Sequence, residues 1–276
     1  MEYLESKQAF LTPKIGTRKS LMLEDTLKSM NKNQKVFIVG ICGGQGGGKT
    51  KLAKILCKNI KKSEIIEERN YFKVAKAKRK LTYGDDVLTS KFGEYSEERK
   101  LLLVELSNPK SYDYKKLYNN LKSLIEGKPV LIKKFDETEG KYTGEVIEIN
   151  PKDTRLIILE GYFIFKDENI RDLINLKIFS EVDDDMRLSR LLINEKQFLK
   201  GNPIAFKHFF MIYEKYIKVS YEKNIEPTKK QAKIILSNCL VKDEDEDENK
   251  NEILVEDETL LILMNNLQNV ANRMGF

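Results

Sequence analysis

Val36-Phe37-Ile38-Val39-Gly40-Ile41-Cys42-Gly43-Gly44-Gln45-Gly46-Gly47-Gly48-Lys49-Thr50 is the stretch that decides the fold. It opens as a short apolar, β-branched run bounded by glycine, the pattern of a strand buried on both faces of a parallel sheet. It closes on G-x-x-x-x-G-K-T, from Gly43 to Thr50, the pattern of a phosphate-binding loop. Residues 51–58 then place Leu52, Ile55 and Leu56 on one helical face. Strand, loop and helix come in the order the motif requires.

The residue types follow from the chemistry of a polyphosphate. Its oxygens need many donors in a small volume. Gly43, Gly44, Gly46, Gly47 and Gly48, with Gln45 among them, let backbone N–H groups converge without side chains intervening. The next helix adds the partial positive charge of its N-terminus. Lys49 is expected to reach the β- and γ-phosphates, and the Thr50 hydroxyl to help hold Mg²⁺. The expected fold class is α/β: a doubly wound parallel sheet of the P-loop NTPase type, with a helical lid and a small β-hairpin insertion.

Downstream, Ile65 and Ile66 suggest a second strand ending in Glu67, Glu68 and Arg69. Strand ends form the working edge of such sheets, so carboxylates there are candidates for a base or a metal ligand. A charged strand end facing solvent is the alternative. Residues 97–106 and 112–125 read as helices, the second amphipathic through Leu117, Leu121, Leu124 and Ile125. Residues 130–134 and 143–149 read as a hairpin pair, with Phe135-Asp136 at its tip. Leu156 to Gly161 is another buried strand. Its Glu160 occupies the place where an acid contacts Mg²⁺ directly or through water. A strand at 176–180 precedes a basic helical stretch, 186–226, carrying Arg187, Arg190, Lys196, Lys200, Lys207, Lys215 and Lys218. Such a pair of helices is expected to close over phosphates as a lid. A solvated helix face competes with that reading, mainly for the later lysines. His208 sits among Phe206, Phe209 and Phe210 and reads as packed. A last strand is expected at Ile234-Ile235-Leu236, and a closing helix at 260–274.

Bulk properties narrow the class. The 276 residues carry 41% hydrophobic and 33% charged residues with a net charge of +6. The cations are interspersed with glutamates, and no aromatic-basic pattern of an RNA-binding motif occurs, so no nucleic-acid partner is expected. No apolar run is long enough to span a bilayer, and Glu2 and Glu5 do not suit a secretory signal. Cys42, Cys57 and Cys239 form no ligand-like cluster and read as reduced thiols of a cytoplasmic protein. Residues 1–35 read as an N-terminal extension, 36–276 as the kinase-type domain, and 242–252 as an acidic surface loop. Association into a homo-oligomer is left open.

With these residues quoted, the chain resembles the uridine kinase (uridine-cytidine kinase) family. Gly40 to Thr50 is similar to that family's G-I-x-G-G-x-x-S-G-K-T. Asn108-Pro109-Lys110-Ser111-Tyr112-Asp113 is similar to H-P-x-x-[FY]-D, and Gly127 to Val130 with Phe135-Asp136 to G-K-x-[IV] followed by Y-D. Leu159-Glu160-Gly161 resembles the E-G strand, Arg187-Leu188-Ser189-Arg190 matches R-L-x-R, and Pro227-Thr228-Lys229-Lys230 matches P-T-K-K. The resemblance implies ATP- or GTP-dependent phosphorylation of the 5′-hydroxyl of uridine or cytidine, a step of pyrimidine salvage. It implies phosphate-binding and catalytic roles for Lys49, Arg187 and Arg190, metal contacts at Thr50 and Glu160, and substrate contacts at Phe135, the base-stacking position, and at Asp136. The family's catalytic Asp aligns with Arg69, its substrate-binding Asp with Ser107 and its base-reading His near Gly140. Glu68, one residue from the Asp position, becomes the expected base. A kinase for another small hydroxyl compound, or a nucleotide-binding protein without transfer, are the alternative functions.

Overall fold

The computed structural model describes residues 34–73, 97–237 and 258–274. The expected extension up to residue 33, the acidic loop and Cys239 lie outside them. Seven strands and seven α-helices follow in chain order among the described residues. They are β1 (Phe37–Cys42), α1 (Lys49–Asn59), β2 (Ser63–Glu67), α2 (Glu97–Leu106), α3 (Tyr114–Ile125), β3 (Val130–Asp136), β4 (Lys141–Ile149), β5 (Leu156–Gly161), α4 (Glu168–Leu173), β6 (Leu176–Glu181), α5 (Asp184–Leu199), α6 (Pro203–Ile212), β7 (Ile234–Ser237) and α7 (Glu258–Arg273).

Five strands form one parallel sheet in the order β2-β5-β1-β6-β7. β1 lies in its centre and is buried along its whole length. Its side chains alternate between two apolar layers. Val36, Ile38 and Cys42 join one with α3, α4 and the hairpin; Phe37, Val39 and Ile41 join the other with α1 and α7. Burying both faces explains the unbroken apolar runs of β1 and β5. The doubly wound α/β fold expected from the sequence is the fold observed.

Local chemistry sets the helix starts. The Asp113 side chain accepts from the Lys116 N–H at the start of α3, and Asn202 from the Ile204 N–H ahead of Pro203 at the start of α6. Asp184 and Asp185 stand in the first turn of α5, where their charge favours the helix dipole.

The hairpin β3–β4 is a separate antiparallel pair, with its turn at 137–140 rather than at Phe135-Asp136. α2, α5 and α6 share a third apolar cluster built on Leu103, Leu191, Leu199, Phe209 and Ile212. Beyond α6 the chain winds in wide π-type turns over Tyr213–Lys218 and Tyr221–Ile225. His208 is buried, as its phenylalanine neighbours suggest. Among the described residues no helix is long and apolar enough to cross a membrane.

Candidate active site

The loop after β1 wraps over the sheet edge and is tied on all sides. Gly47 N–H donates to Gly44 O at 3.0 Å, and the Ser180 hydroxyl donates to Gly47 O at 2.6 Å. Arg190 Nη1 donates to Gly46 O at 3.2 Å, and Gln45 Nε2 to Ser107 Oγ at 3.2 Å. Gly46 has φ 72°, and a Cβ there would stand 2.5 Å from the Arg187 carbonyl oxygen. The loop can therefore take this path only with a glycine at that position.

Arg187 is 2% exposed. It pairs with Asp184, one turn earlier, and its guanidinium lies 3.5 Å from the centre of the Tyr221 ring. The wide turns after α6 are what bring Tyr221 to that place. Arg187 Nη1 would meet a Cβ at Gly44 at 2.4 Å, so the cation lies against the loop. Lys196, Lys200, Lys207, Lys215 and Lys218 are all exposed. The basic stretch thus divides as charge and spacing allow: the two arginines turn to the loop and the lysines to solvent.

Lys49 is buried. Its Nζ donates to Gly44 O at 2.9 Å and lies 4.1 Å over the Tyr162 ring. Burial pulls its pKa down, opposed by Glu160 and other anions nearby. Thr50 Oγ1 donates to Glu160 Oε1 at 3.0 Å. Glu160 faces Ile41 on β1 and Glu67 on β2 in the register, so β5 brings its carboxylate to the loop from the middle of the sheet edge.

Arg69 stands against both. Its Nη2 lies 3.2 Å from Thr50 Oγ1, 3.1 Å from Glu160 Oε1 and 2.7 Å from Glu67 Oε1, and its Nη1 lies 2.9 Å from Glu137 Oε2. Burial works against the charge of Arg69, but Glu137, Glu160 and Glu67 outweigh it and raise its pKa. Kinases built on this loop use ATP and Mg²⁺ as a class. Thr50 and Glu160 supply oxygens of the kind Mg²⁺ takes. However, an ion about 2.1 Å from both would stand only about 1–4 Å from Arg69 Nη2, whichever side it approached. Two like charges at that distance repel strongly. The residues meet as expected, but around a guanidinium, and this arrangement does not fit a directly bound metal.

Glu68 also departs from expectation. It is 1% exposed. Its Oε2 accepts from the Tyr162 N–H at 2.6 Å and the Phe163 N–H at 3.2 Å, and its Oε1 from the Tyr114 hydroxyl at 2.9 Å. Gly161 leaves room for it, since a Cβ there would stand 2.6 Å from Glu68 Oε2. Burial pushes its pKa up to about 7, against the lowering effect of those donors. Glu68 lines the small cavity beside Arg69, Glu137, Glu160, Gly161 and Tyr162. Yet both its oxygens are already held, by two N–H groups of the chain turning out of β5 and by one hydroxyl from α3. These contacts make Glu68 an anchor for the chain leaving β5.

Two expected substrate contacts are likewise redirected. Phe135 is 3% exposed and packs between Phe72 and Tyr142, with ring centres 5.1 and 5.3 Å away. No face is left for a base to stack on. Asp136 Oδ1 accepts from the Thr138 and Glu139 N–H groups at 2.8 and 3.0 Å and shapes the hairpin turn. The residue that reaches the site from the hairpin is Glu137, which also accepts from the Tyr162 hydroxyl at 3.1 Å. Glu137 carried no signal in the sequence. Tyr162 was signalled only by following the strand-end Glu160-Gly161.

The comparisons agree with this architecture. The sequence model of the phosphoribulokinase / uridine kinase family matches residues 38–244. A uridine kinase of Streptococcus agalactiae serotype III (strain NEM316) is 30% identical over 205 residues, covering 74% of this chain and 87% of its own. One of Macrococcus caseolyticus (strain JCSC5402) is 31% identical over 204 residues, 73% of this chain and 88% of that one. Among solved structures, a provisionally assigned fructose transport system kinase from Silicibacter sp. TM1040 superposes with a TM-score of 0.53 at 16% identity, covering 79% of this chain and 98% of its own. That last likeness concerns the fold alone. A loop of this sequence on this sheet, matched over most of the chain by family and relatives, leads to one conclusion: the chain belongs to the phosphoribulokinase / uridine kinase family of kinase-type phosphotransferases.

Proposed function

We propose that the chain transfers the γ-phosphoryl group of ATP (or GTP) to the 5′-hydroxyl of a pyrimidine nucleoside, uridine or cytidine. The observation that carries this reading is the convergence on one loop of three cations, Lys49, Arg187 and Arg190. Phosphoryl transfer asks a protein mainly for positioning and for charge to meet the oxygens of the group in flight. The loop amides would hold the phosphates, and the three cations would neutralise them. The proton of the acceptor hydroxyl would pass to a carboxylate at the cavity, and of those that line it Glu137 is the partly exposed one. The relatives named uridine kinase supply the acceptor class. The free thiols of Cys42 and Cys57 suit work in the cytoplasm.

The test is ADP release from ATP across a panel of nucleosides and small alcohols, with Lys49→Ala protein as the blank. Turnover with uridine or cytidine is expected, falling by about 10²–10³-fold or more in the variant. Turnover with another alcohol alone would move the acceptor and keep the class. Equal turnover by Lys49→Ala would overturn the assignment of the loop. A second reading, nucleotide binding without transfer, is favoured by Arg69 at the position where the family aligns its catalytic Asp. Silence across the panel while ATP still binds would select it.

A further inference from the structure

We infer that Arg69 is the resident cation of this phosphate site, standing where a divalent metal would bind, so that the chain holds a nucleoside triphosphate without Mg²⁺. The inference rests on the reading of the loop as a triphosphate site, and three features of the cluster carry it.

The first is position. Arg69 Nη2, Thr50 Oγ1 and Glu160 Oε1 form a triangle with sides of 3.0, 3.1 and 3.2 Å. The loop threonine and the strand-end carboxylate therefore share one cation, and it is covalently part of the chain. The second is retention. Glu67 and Glu137 hold the same guanidinium from two further elements, the end of β2 and the hairpin turn. A side chain fixed from four directions is not one that happens to lie across the site. Its charge is also the least easily lost of any side chain.

The third is exchange. Phosphate and carboxylate both bind a guanidinium through paired oxygens. An arriving γ-phosphate can therefore take over Arg69 from Glu67 or Glu137. Those side chains are 22% and 24% exposed, so they can turn to solvent, whereas Glu160, at 5%, stays. One anion replaces another on the same cation, and no second cation is required to balance the trade. Lys49 and Arg187 remain for the other phosphates.

The experiment is calorimetric titration of the full chain with ATP, once in EDTA and once in excess MgCl₂. Dissociation constants within about threefold of each other are expected. Binding at least tenfold tighter with Mg²⁺ would overturn the inference while leaving the loop assignment intact. Heat absent under both conditions, with Lys49→Ala no different, would overturn the loop assignment and the inference with it. Two variants sharpen the result. Arg69→Ala is expected to weaken binding in EDTA by tenfold or more and to regain part of it on adding Mg²⁺. Glu160→Gln removes an anion from beside the phosphates, so affinity in EDTA should stay or rise. A tenfold loss from Glu160→Gln confined to the Mg²⁺ titration would identify Glu160 as a metal contact and refute the role given to Arg69.

Discussion

Replacing Glu68 by Gln tests the electrostatics of the anchor beneath the site. The wild-type carboxyl is buried with a pKa of about 7, raised from 4.5. The unfolded chain ionises it near 4.5, so folding takes up a proton between pH 4.5 and about 7. Stability from this group is therefore fully present below 4.5, falls as pH rises through the window, and is flat above it. Each pH unit is worth about 1.4 kcal/mol, so the whole window is worth about 3 kcal/mol, and the part between pH 5.5 and 8 about 2 kcal/mol. Gln cannot ionise, and it keeps the size and one acceptor oxygen. Urea unfolding of both proteins at pH 5.5, 6.5, 7.5 and 8.0 gives the difference in stability between them. Wild type should lose about 2 kcal/mol relative to Glu68→Gln across that range. Lost hydrogen bonds or altered packing shift the difference by a constant and leave its pH dependence untouched. A difference constant to within about 0.5 kcal/mol would refute the raised pKa of Glu68.

Gly46→Ala combines a left-handed backbone with a Cβ 2.5 Å from the Arg187 carbonyl. It should cost about 1–3 kcal/mol in thermal unfolding and weaken ATP binding at least tenfold by pushing α5 off the loop. Arg99 pairs with the buried Glu195 of α5, donates to Glu137 O at 2.7 Å and lies 4.3 Å over the Phe198 ring. Arg99→Ala leaves Glu195 without that partner, and a loss of about 3–5 kcal/mol in urea unfolding is expected. A loss below about 1 kcal/mol would mean that lid and hairpin are held together by other contacts.

The fold was legible because β1 and β5 are buried on both faces, which forces unbroken apolar runs, and because the loop constrains its own residue types. The site was legible where function dictates sequence locally, at Gly43 to Thr50, Glu160, Arg187 and Arg190. It was not legible where a single-residue rotation decides. Glu67 ends β2 and Glu68 begins a 3₁₀ turn, so Glu67, Glu68 and Arg69 leave the strand in three directions. Only the folded chain shows that Glu68 turns under β5 while Arg69 turns to Thr50. Phe135 is the same problem in a strand. Val130 and Ile132 face inward, and strict alternation would bring Lys134 in next. A register shift between Lys133 and Phe135 brings in Phe135 instead. Alternation read from sequence cannot reveal that shift, so an aromatic that completes the core reads as one offered to a ligand.

The helix that seals one face of the sheet has a consequence for how the molecule is made. Leu263, Met264, Leu267, Val270 and Ala271 of α7 cover Phe37, Val39 and Ile41, residues placed more than two hundred positions earlier. During synthesis β1, β5 and β6 can pair long before α7 has left the ribosome. At ordinary elongation rates of about 5–20 residues per second, the delay between the end of β6 and α7 is roughly 4–15 s. Throughout that interval the part of this face that α1 does not cover is an exposed apolar surface. The window for capture by a chaperone, or for sticking to a neighbouring chain on the same message, is thus set by the chain order of a single helix.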